Sequence, residues 1–92
     1  MTVFDNVGQH RFEMRIEGNA IAAAYYRIDG EGRIDLIHTE VPSEFAGQGL
    51  ATKLATGVFD MACETDRKLV LSCSFMADFY RRHPEYSDIV DG

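Results

Sequence analysis

Two closely spaced glycines and a proline mark the stretch of this chain where backbone and side chains could do chemistry together. An apolar run ends at Pro42, and Gly47 and Gly49 follow where a long amphipathic pattern begins. A strand that passes through glycines into a helix exposes backbone N–H groups at the helix N-terminus, and such groups bind phosphate. The stretch therefore predicts a site for a phosphate-bearing ligand, although Gly-x-Gly after a strand also occurs in plain turns.

His38 and Glu40 are the titratable side chains at the end of the same apolar run. Imidazole titrates near neutral pH, so His38 is a candidate general base, and Glu40 on the same strand face is a second candidate. Period-2 alternation also groups His38 with Ile34 and Leu36 on the apolar face. A partly buried, hydrogen-bonded histidine is therefore an equally open interpretation.

The cysteines and histidines do not form a metal-binding pattern. His38, Cys63, Cys73 and His83 lack the close paired spacing of zinc ligands, so we expect no metal. Two cysteines are also too few for the disulfide framework of a small secreted domain. Reduced thiols and a cytoplasmic location are the simpler expectation.

Three strands joined by short turns are predicted in the first half of the chain. Alternating apolar and polar residues indicate strands at 10–16 and 33–41, and strand-favouring residues such as Tyr25 and Tyr26 indicate another at 20–28. Turns rich in Gly, Asn and Asp separate the three. The short turns imply an antiparallel meander, and Pro42 ends the third strand because it removes a ladder donor. Residues 1–8 have no clear period and are expected to fray or to form a sheet edge.

The second half of the chain is predicted to alternate between helix and strand. Apolar spacings of three and four predict a helix at 47–64, then a strand at 68–73 and a short helix at 75–82 with Ser74 as its N-cap. Residues 86–90 could add one more strand. A right-handed crossover makes strands 33–41 and 68–73 parallel neighbours. The predicted fold is thus α/β (α+β), a mixed sheet in which an antiparallel three-stranded meander precedes helix–strand–helix.

Size and charge limit the classes of function. Ninety-two residues, 46% of them hydrophobic, suit a single domain spanning residues 1–92, as a monomer or weak homodimer. The net charge of −6 argues against a nucleic-acid partner, which needs a basic face. The longest uninterrupted apolar run, residues 20–26, is too short to span a bilayer, and no leader pattern precedes it. We therefore expect no membrane partner and no cleaved leader.

Two motifs together resemble those of the GNAT superfamily of acyl-CoA-dependent N-acetyltransferases. The pyrophosphate loop of that superfamily has the pattern Arg/Gln-x-x-Gly-x-Gly/Ala, which falls here on Ala46, Gly49 and Ala51, with Ala46 departing from the first position. A second segment, residues 77–80, resembles the later Ala-x-x-Phe-Tyr segment and follows at a compatible distance. The likeness covers residues 25–90 and extends to a subgroup of small, single-domain members.

The resemblance implies acetyl-CoA as cosubstrate, held mainly by backbone groups. Strand 33–41 would splay from its parallel neighbour, so that its free backbone groups hold the pantetheine arm. The amides of residues 47–52 would hold the pyrophosphate, since glycine allows close approach and the helix dipole favours the anion. The residues so assigned are Thr39, Val41, Gly47, Gln48, Gly49, Leu50, Ala51 and Thr52.

The implied reaction is acetyl transfer to a primary amine (a protein lysine, an N-terminus or a small amine) by direct attack in a ternary complex. Tyr80 would be the general acid for the CoA thiolate, since a phenol and a thiol have similar basicity, although an ordinary amphipathic tyrosine also fits its position. Cys73 would lie near the thioester. Three roles would fit it there: a small buried residue, a residue that lines the acyl pocket, or a nucleophile that accepts the acetyl group covalently.

A non-catalytic acyl-CoA-binding or regulatory module with a GNAT-like fold is the alternative. Ala46 in place of Arg or Gln removes one expected contact to the pyrophosphate. The predicted elements also do not include the helices that cover the acceptor side in larger relatives. An open acceptor side and an acidic surface would suit a cationic acceptor.

Overall fold

Five strands and two helices make up the structure, a computed structural model that describes residues 2–91. The strands are β1 (Val3–Asn6), β2 (Arg11–Glu17), β3 (Ala20–Ile28), β4 (Ile34–Glu40) and β5 (Leu69–Leu71), and the helices are α1 (Leu50–Thr65) and α2 (Ser74–Arg82). The strands form one sheet in the order β1-β2-β3-β4-β5, with antiparallel pairs up to β4 and a parallel β4–β5 pair. The predicted mixed sheet, with its parallel pair across the long helix, is confirmed.

Both helices begin at residues other than those predicted. Gly47 and Gly49 have φ angles of 81° and 74°, in the left-handed region, so α1 begins at Leu50 rather than at residue 47. In α2 Ser74 is already helical, and the N-cap is Cys73, which still has extended backbone. The prediction of Ser74 as N-cap is therefore wrong. Within residues 2–91, no helix is long and apolar enough to cross a membrane.

The two ends of the chain meet the sheet in different ways. β1 pairs with β2 as an edge strand, one of the two outcomes expected for residues 1–8, of which Met1 lies outside the described residues. The strand predicted at 86–90 is wrong, because Pro84–Ile89 forms a 3₁₀ segment whose turns already satisfy the local backbone. Among residues 86–90, Val90 alone pairs with the sheet, through a single bridge to Leu69.

One face of the sheet packs against α1 and α2 to form the core. The predicted apolar stripe of α1 is buried, apart from the half-buried Ala51. Phe59 of α1 and Phe79 of α2, with ring centroids 4.9 Å apart, join the two helices. At Gly57, α1 lies so close to β1 that a Cβ atom would be 2.3 Å from Val3 Cγ2.

A β-bulge at Ile37 divides β4 into two halves. Tyr26 of β3 pairs with Leu36, but Tyr25 pairs with His38, so Ile37 has no partner in β3. The extra residue shifts the side-chain alternation by one position. The expectation that His38 shares the face of Ile34 and Leu36 is therefore wrong: its side chain is 58% exposed and lies beside Tyr25 on the opposite face.

Candidate functional site

β4 and β5 separate at one point, and the gap between them defines the candidate site. The two strands pair from Ile34–Leu69 to Leu36–Leu71, and Cys73 N then donates to Leu36 O over 2.8 Å. Beyond this bond the chain turns into α2, while β4 continues to Glu40 paired with β3 alone among the described strands. We call the gap between residues 37–41 and 72–75 the wedge. Its β4 edge offers backbone groups that no described strand pairs.

Thr39 and Cys73 meet across the wedge. Because the bulge returns Thr39 to the core face beside Ala24, its Oγ1 lies 3.4 Å from Cys73 Sγ. Cys73 is only 8% exposed. Two residues that the sequence predicted for the site, one from β4 and one from the end of β5, are thus in contact.

A groove of about 340 Å³ lies at the start of α1. Six of the eight residues predicted to hold acetyl-CoA line it: Val41, Gly47, Gly49, Leu50, Ala51 and Thr52. Thr39 instead faces Cys73, and Gln48 is exposed and does not line the groove. Phe45, Ala46 and Phe75 complete the lining, and we call the whole the α1 groove. Because Val41 and Phe75 belong to the two sides of the wedge, the groove and the wedge are continuous.

The α1 groove suits an anion through its backbone rather than through side-chain charge. The first N–H groups of a helix have no intrahelical acceptor, and no side chain of residues 2–91 caps α1. The first turn also carries no acidic residue. A Cβ on Gly47 or Gly49 would meet nothing within 4 Å, so it is the left-handed φ rather than space that requires glycine here. No lining residue is charged, and Ala46 offers no polar side chain to a phosphate.

His38 and Glu40 lie together on the sheet face opposite Thr39. His38 Nε2 and Glu40 Oε2 are 3.2 Å apart, and Tyr25 Oη donates to Glu40 Oε1 over 3.4 Å. The His38 ring also stacks on Tyr25, with centroids 5.8 Å apart. The two candidate bases therefore form one hydrogen-bonded pair, accessible to solvent, at the end of β4.

Glu13 is a buried carboxylate on the same face, two strands away. It accepts hydrogen bonds from Arg11 Nε and, over 2.9 Å, from Asn6 Nδ2. Burial acts to raise the pKa of Glu13, but the bonds from Arg11 and Asn6 outweigh burial and hold that pKa below its ordinary value. Glu13 therefore stays ionised and neutralises Arg11 locally.

Tyr80 does not line the α1 groove. It is half-buried on α2 and lines a separate cavity of about 460 Å³ with Leu71, Ala77 and Val90, at the outer edge of β5. The signal that predicted Tyr80 was a motif, which carries no information about the direction of the side chain. Phe45 and Phe75, which do line the groove, had no sequence signal, because their role depends on how the 3₁₀ turn Ser43–Phe45 and α2 pack around the start of α1.

The thiols and metal-ligating side chains remain apart. Cys63 is exposed on α1, Cys73 is buried in the wedge, and both are free. Within residues 2–91 no group of three His, Cys, Asp or Glu side chains is arranged to hold a metal ion.

Comparisons with known proteins agree with the architecture. A family model described as GCN5-related N-acetyl-transferase matches residues 11–89. The chain is 34% identical to Protein NATD1 of Xenopus tropicalis over 77 residues, which cover 83% of this chain and 71% of that protein. For Protein NATD1 of Homo sapiens the identity is 32%, covering 83% and 68%.

A solved structure is similar over nearly the whole chain. The NMR solution structure of a GCN5-like protein from Staphylococcus aureus superposes with a TM-score of 0.68 and 33% identity, covering 98% of this chain and 87% of that one. Together with the family match over residues 11–89, the likeness in sequence and fold leads to one conclusion. The chain belongs to the GCN5-related N-acetyltransferase family.

Proposed function

We propose that the protein transfers an acetyl group from acetyl-CoA to a primary amine, by direct attack of the amine in a ternary complex. The observation that carries the proposal is the continuity of the α1 groove with the wedge through Val41 and Phe75. A helix start with free backbone N–H groups beside an unpaired strand edge would suit a long ligand whose pyrophosphate is followed by an extended, amide-bearing arm.

The backbone would hold acetyl-CoA. The amides at the start of α1 would bind the pyrophosphate, and the free edge of β4 at Thr39 and Val41 would bind the pantetheine arm. Acetyl-CoA supplies the activated acyl group. In the reaction the amine nitrogen bonds to the acyl carbon, the carbon–sulfur bond breaks, and the thiolate takes up a proton.

Glu40 and His38 at the edge of the wedge, and Tyr80 outside it in the cavity beside β5, would handle the protons. Glu40, with His38 hydrogen-bonded to it, would take the proton that the amine loses. Tyr80 remains the proposed acid for the thiolate. The burial of Cys73 and its contact with Thr39 favour a residue that packs and lines the acyl pocket over one that accepts the acetyl group.

An acyl-CoA-binding or regulatory module without catalysis is the second candidate. The uncharged lining of the α1 groove, with Ala46 where the family pattern has Arg or Gln, is the observation that favours it. A weak grip on the pyrophosphate would suit a sensor of acyl-CoA as well as an enzyme.

Calorimetry with acetyl-CoA and an assay of free CoA release, run on the same preparation, test both candidates. We expect acetyl-CoA to bind, CoA release to depend on added amine, and Glu40→Gln to lower the rate while leaving acetyl-CoA affinity unchanged. Binding without release by any amine would favour the module. An absence of binding would overturn both candidates.

A further inference from the structure

The outer edge of β5 is only partly paired. Asp91 N donates to Leu69 O over 2.8 Å, and Val90 forms a parallel bridge with Leu69, so residues 90 and 91 begin a further strand beside β5. In a strand, residues two apart direct their backbone groups to the same side. The N–H and C=O of Leu71 therefore face the same outer edge as those of Leu69. Among residues 2–91, no group forms a hydrogen bond with them there.

A largely apolar cavity lies directly beside this free edge. It is the cavity of about 460 Å³ described above, and we call it the β5 cavity. Its lining comes from β5, α2 and the segment that follows α2: Leu71, Ala77, Tyr80, Arg81, Pro84 and Val90. Arg81, the charged member of the lining, is paired with Asp78 over 2.7 Å. A side chain that enters the β5 cavity therefore meets aliphatic groups and an aromatic ring, which favour an apolar side chain.

The free backbone groups of Leu71 and the β5 cavity together fit an extended peptide. Beside a residue in parallel register with Leu71, the preceding carbonyl accepts from Leu71 N–H and the following N–H donates to Leu71 O. Paired residues direct their side chains to the same face of a sheet, and the Leu71 side chain lines the cavity. The side chain of the added residue would thus enter the cavity. A small apolar molecule would fill the cavity but leave both backbone groups unpaired.

The net charge of the chain favours a partner other than a second copy. Two copies, each with a charge of −6, repel one another, whereas a neutral or basic segment of another protein meets no such repulsion. We propose that the outer edge of β5 is a docking site for such a segment, which pairs in parallel with Leu71 and inserts one large apolar side chain, such as leucine, into the β5 cavity. The inference goes beyond the proposed function, because the β5 cavity and the α1 groove share no lining residue.

A short blocked peptide, acetyl-threonyl-leucyl-lysine amide, tests the proposal by NMR on the 15N-labelled chain. At millimolar concentration it should shift the amide signals of Leu71, Ala77 and Val90. Methylation of the lysine backbone nitrogen should weaken binding about tenfold, because Leu71 O loses its donor. Methylation of the leucine backbone nitrogen, which faces away from β5 in this register, is the matched control and should have little effect. These comparisons use the unaltered chain and need no variant.

Substitution of Ala77 tests the cavity separately from the strand edge. Ala77→Leu, which fills the cavity, should abolish the shifts, while the matched variant Ala77→Ser should keep them. Equal binding of the two methylated peptides would overturn the inference, as would equal shifts with 3-methyl-1-butanol, which resembles the leucine side chain without its backbone. Shifts absent with every peptide, or centred on residues 3–6 at the opposite sheet edge, would also overturn it. Self-association of the chain that Ala77→Leu abolishes would assign the edge to a second copy and overturn the proposed partner.

Discussion

At the scale of single residues, Glu13 is a buried charge whose substitution should be measurable. It is 6% exposed and held by Arg11 and Asn6. Glu13→Gln should lower the free energy of unfolding at neutral pH by about 1–3 kcal/mol, because Arg11 loses its ionic partner. Urea unfolding measures the loss, and Glu17→Gln, at an exposed position of the same strand, is the control and should be nearly neutral.

The same substitution has a pH signature. Since the pKa of Glu13 is lower in the folded state than its ordinary value, the carboxylate stabilises the fold above that ordinary value. The stabilisation is lost as the pH falls through the lower, folded-state pKa. The unfolding free energies of wild type and Glu13→Gln should therefore converge in acid. A gap that stays constant down to the lowest pH at which both fold would mean that the ion pair is not its cause.

The motif predicts Tyr80 as a catalytic acid, but its side chain lies at the outer edge of β5, away from the α1 groove. If its hydroxyl protonates the leaving thiolate, Tyr80→Phe should lower kcat by about a hundredfold or more and leave acetyl-CoA affinity unchanged. Tyr86→Phe is a matched control. It removes the hydroxyl that donates to Asp60 over 2.6 Å, which should cost stability without lowering kcat. Equal turnover in wild type and Tyr80→Phe would remove Tyr80 from the mechanism.

At the scale of secondary structure, the start of α1 depends on a left-handed residue. Gly49→Ala keeps every contact, because a Cβ there meets nothing within 4 Å, but the φ of 74° costs alanine about 1 kcal/mol or more. Relief of that strain would move the amides of the α1 groove. We therefore expect weaker acetyl-CoA binding by calorimetry together with a small loss of stability. Gly30→Ala, equally open and without a positive φ, should change neither.

At Gly57, where α1 contacts β1, lack of space rather than backbone conformation requires glycine. A Cβ at Gly57 would lie 2.3 Å from Val3 Cγ2 and 2.9 Å from Val3 Cβ. Gly57→Ala should push β1 from the sheet, with overpacking costs of about 1–3 kcal/mol against a helix-propensity gain of about 1 kcal/mol. Hydrogen exchange should show lost protection of residues 3–6. Thr56→Ala, on the exposed side of the same turn, should leave that protection intact, and full protection in Gly57→Ala would contradict the packing argument.

Most elements could be predicted from the sequence because their periods are unbroken, as in β2 and along α1. The errors occur where a local conformation overrides the period. Strict alternation places His38 in the core, but the bulge at Ile37 is a property of the pairing with β3 and has no signal in β4 itself. In the candidate site, the glycine loop could be predicted from residue type. The lining of the α1 groove by Phe45 and Phe75 depends on contacts between elements distant in sequence.

At the scale of the whole molecule, the net charge of −6 opposes the ligand that the α1 groove would bind. The groove has no charged lining residue, so no cationic side chain in its lining offsets the long-range repulsion between the protein and an anion. The Debye length falls from about 30 Å at 0.01 M salt to about 10 Å at 0.1 M. We therefore expect acetyl-CoA affinity to rise over this range, the reverse of a nucleic-acid binder. Pantetheine, which lacks phosphates, is the control and should show no salt dependence. A steep fall in acetyl-CoA affinity with salt would mean that cationic side chains provide the grip.

The bulge at Ile37 also has a consequence for protein engineering. Because the bulge shifts the side-chain alternation of β4 at Ile37, the two halves of the strand follow opposite inward and outward patterns. Residues 34–36 pair with both β3 and β5, whereas residues 38–40 carry Thr39, which faces the wedge, and the His38–Glu40 pair on the opposite face. A chimera that exchanges this strand must therefore keep the bulge: a regular strand of the same length would exchange the inward and outward side chains of residues 38–40, whereas deleting Ile37 would restore regular pairing without that exchange.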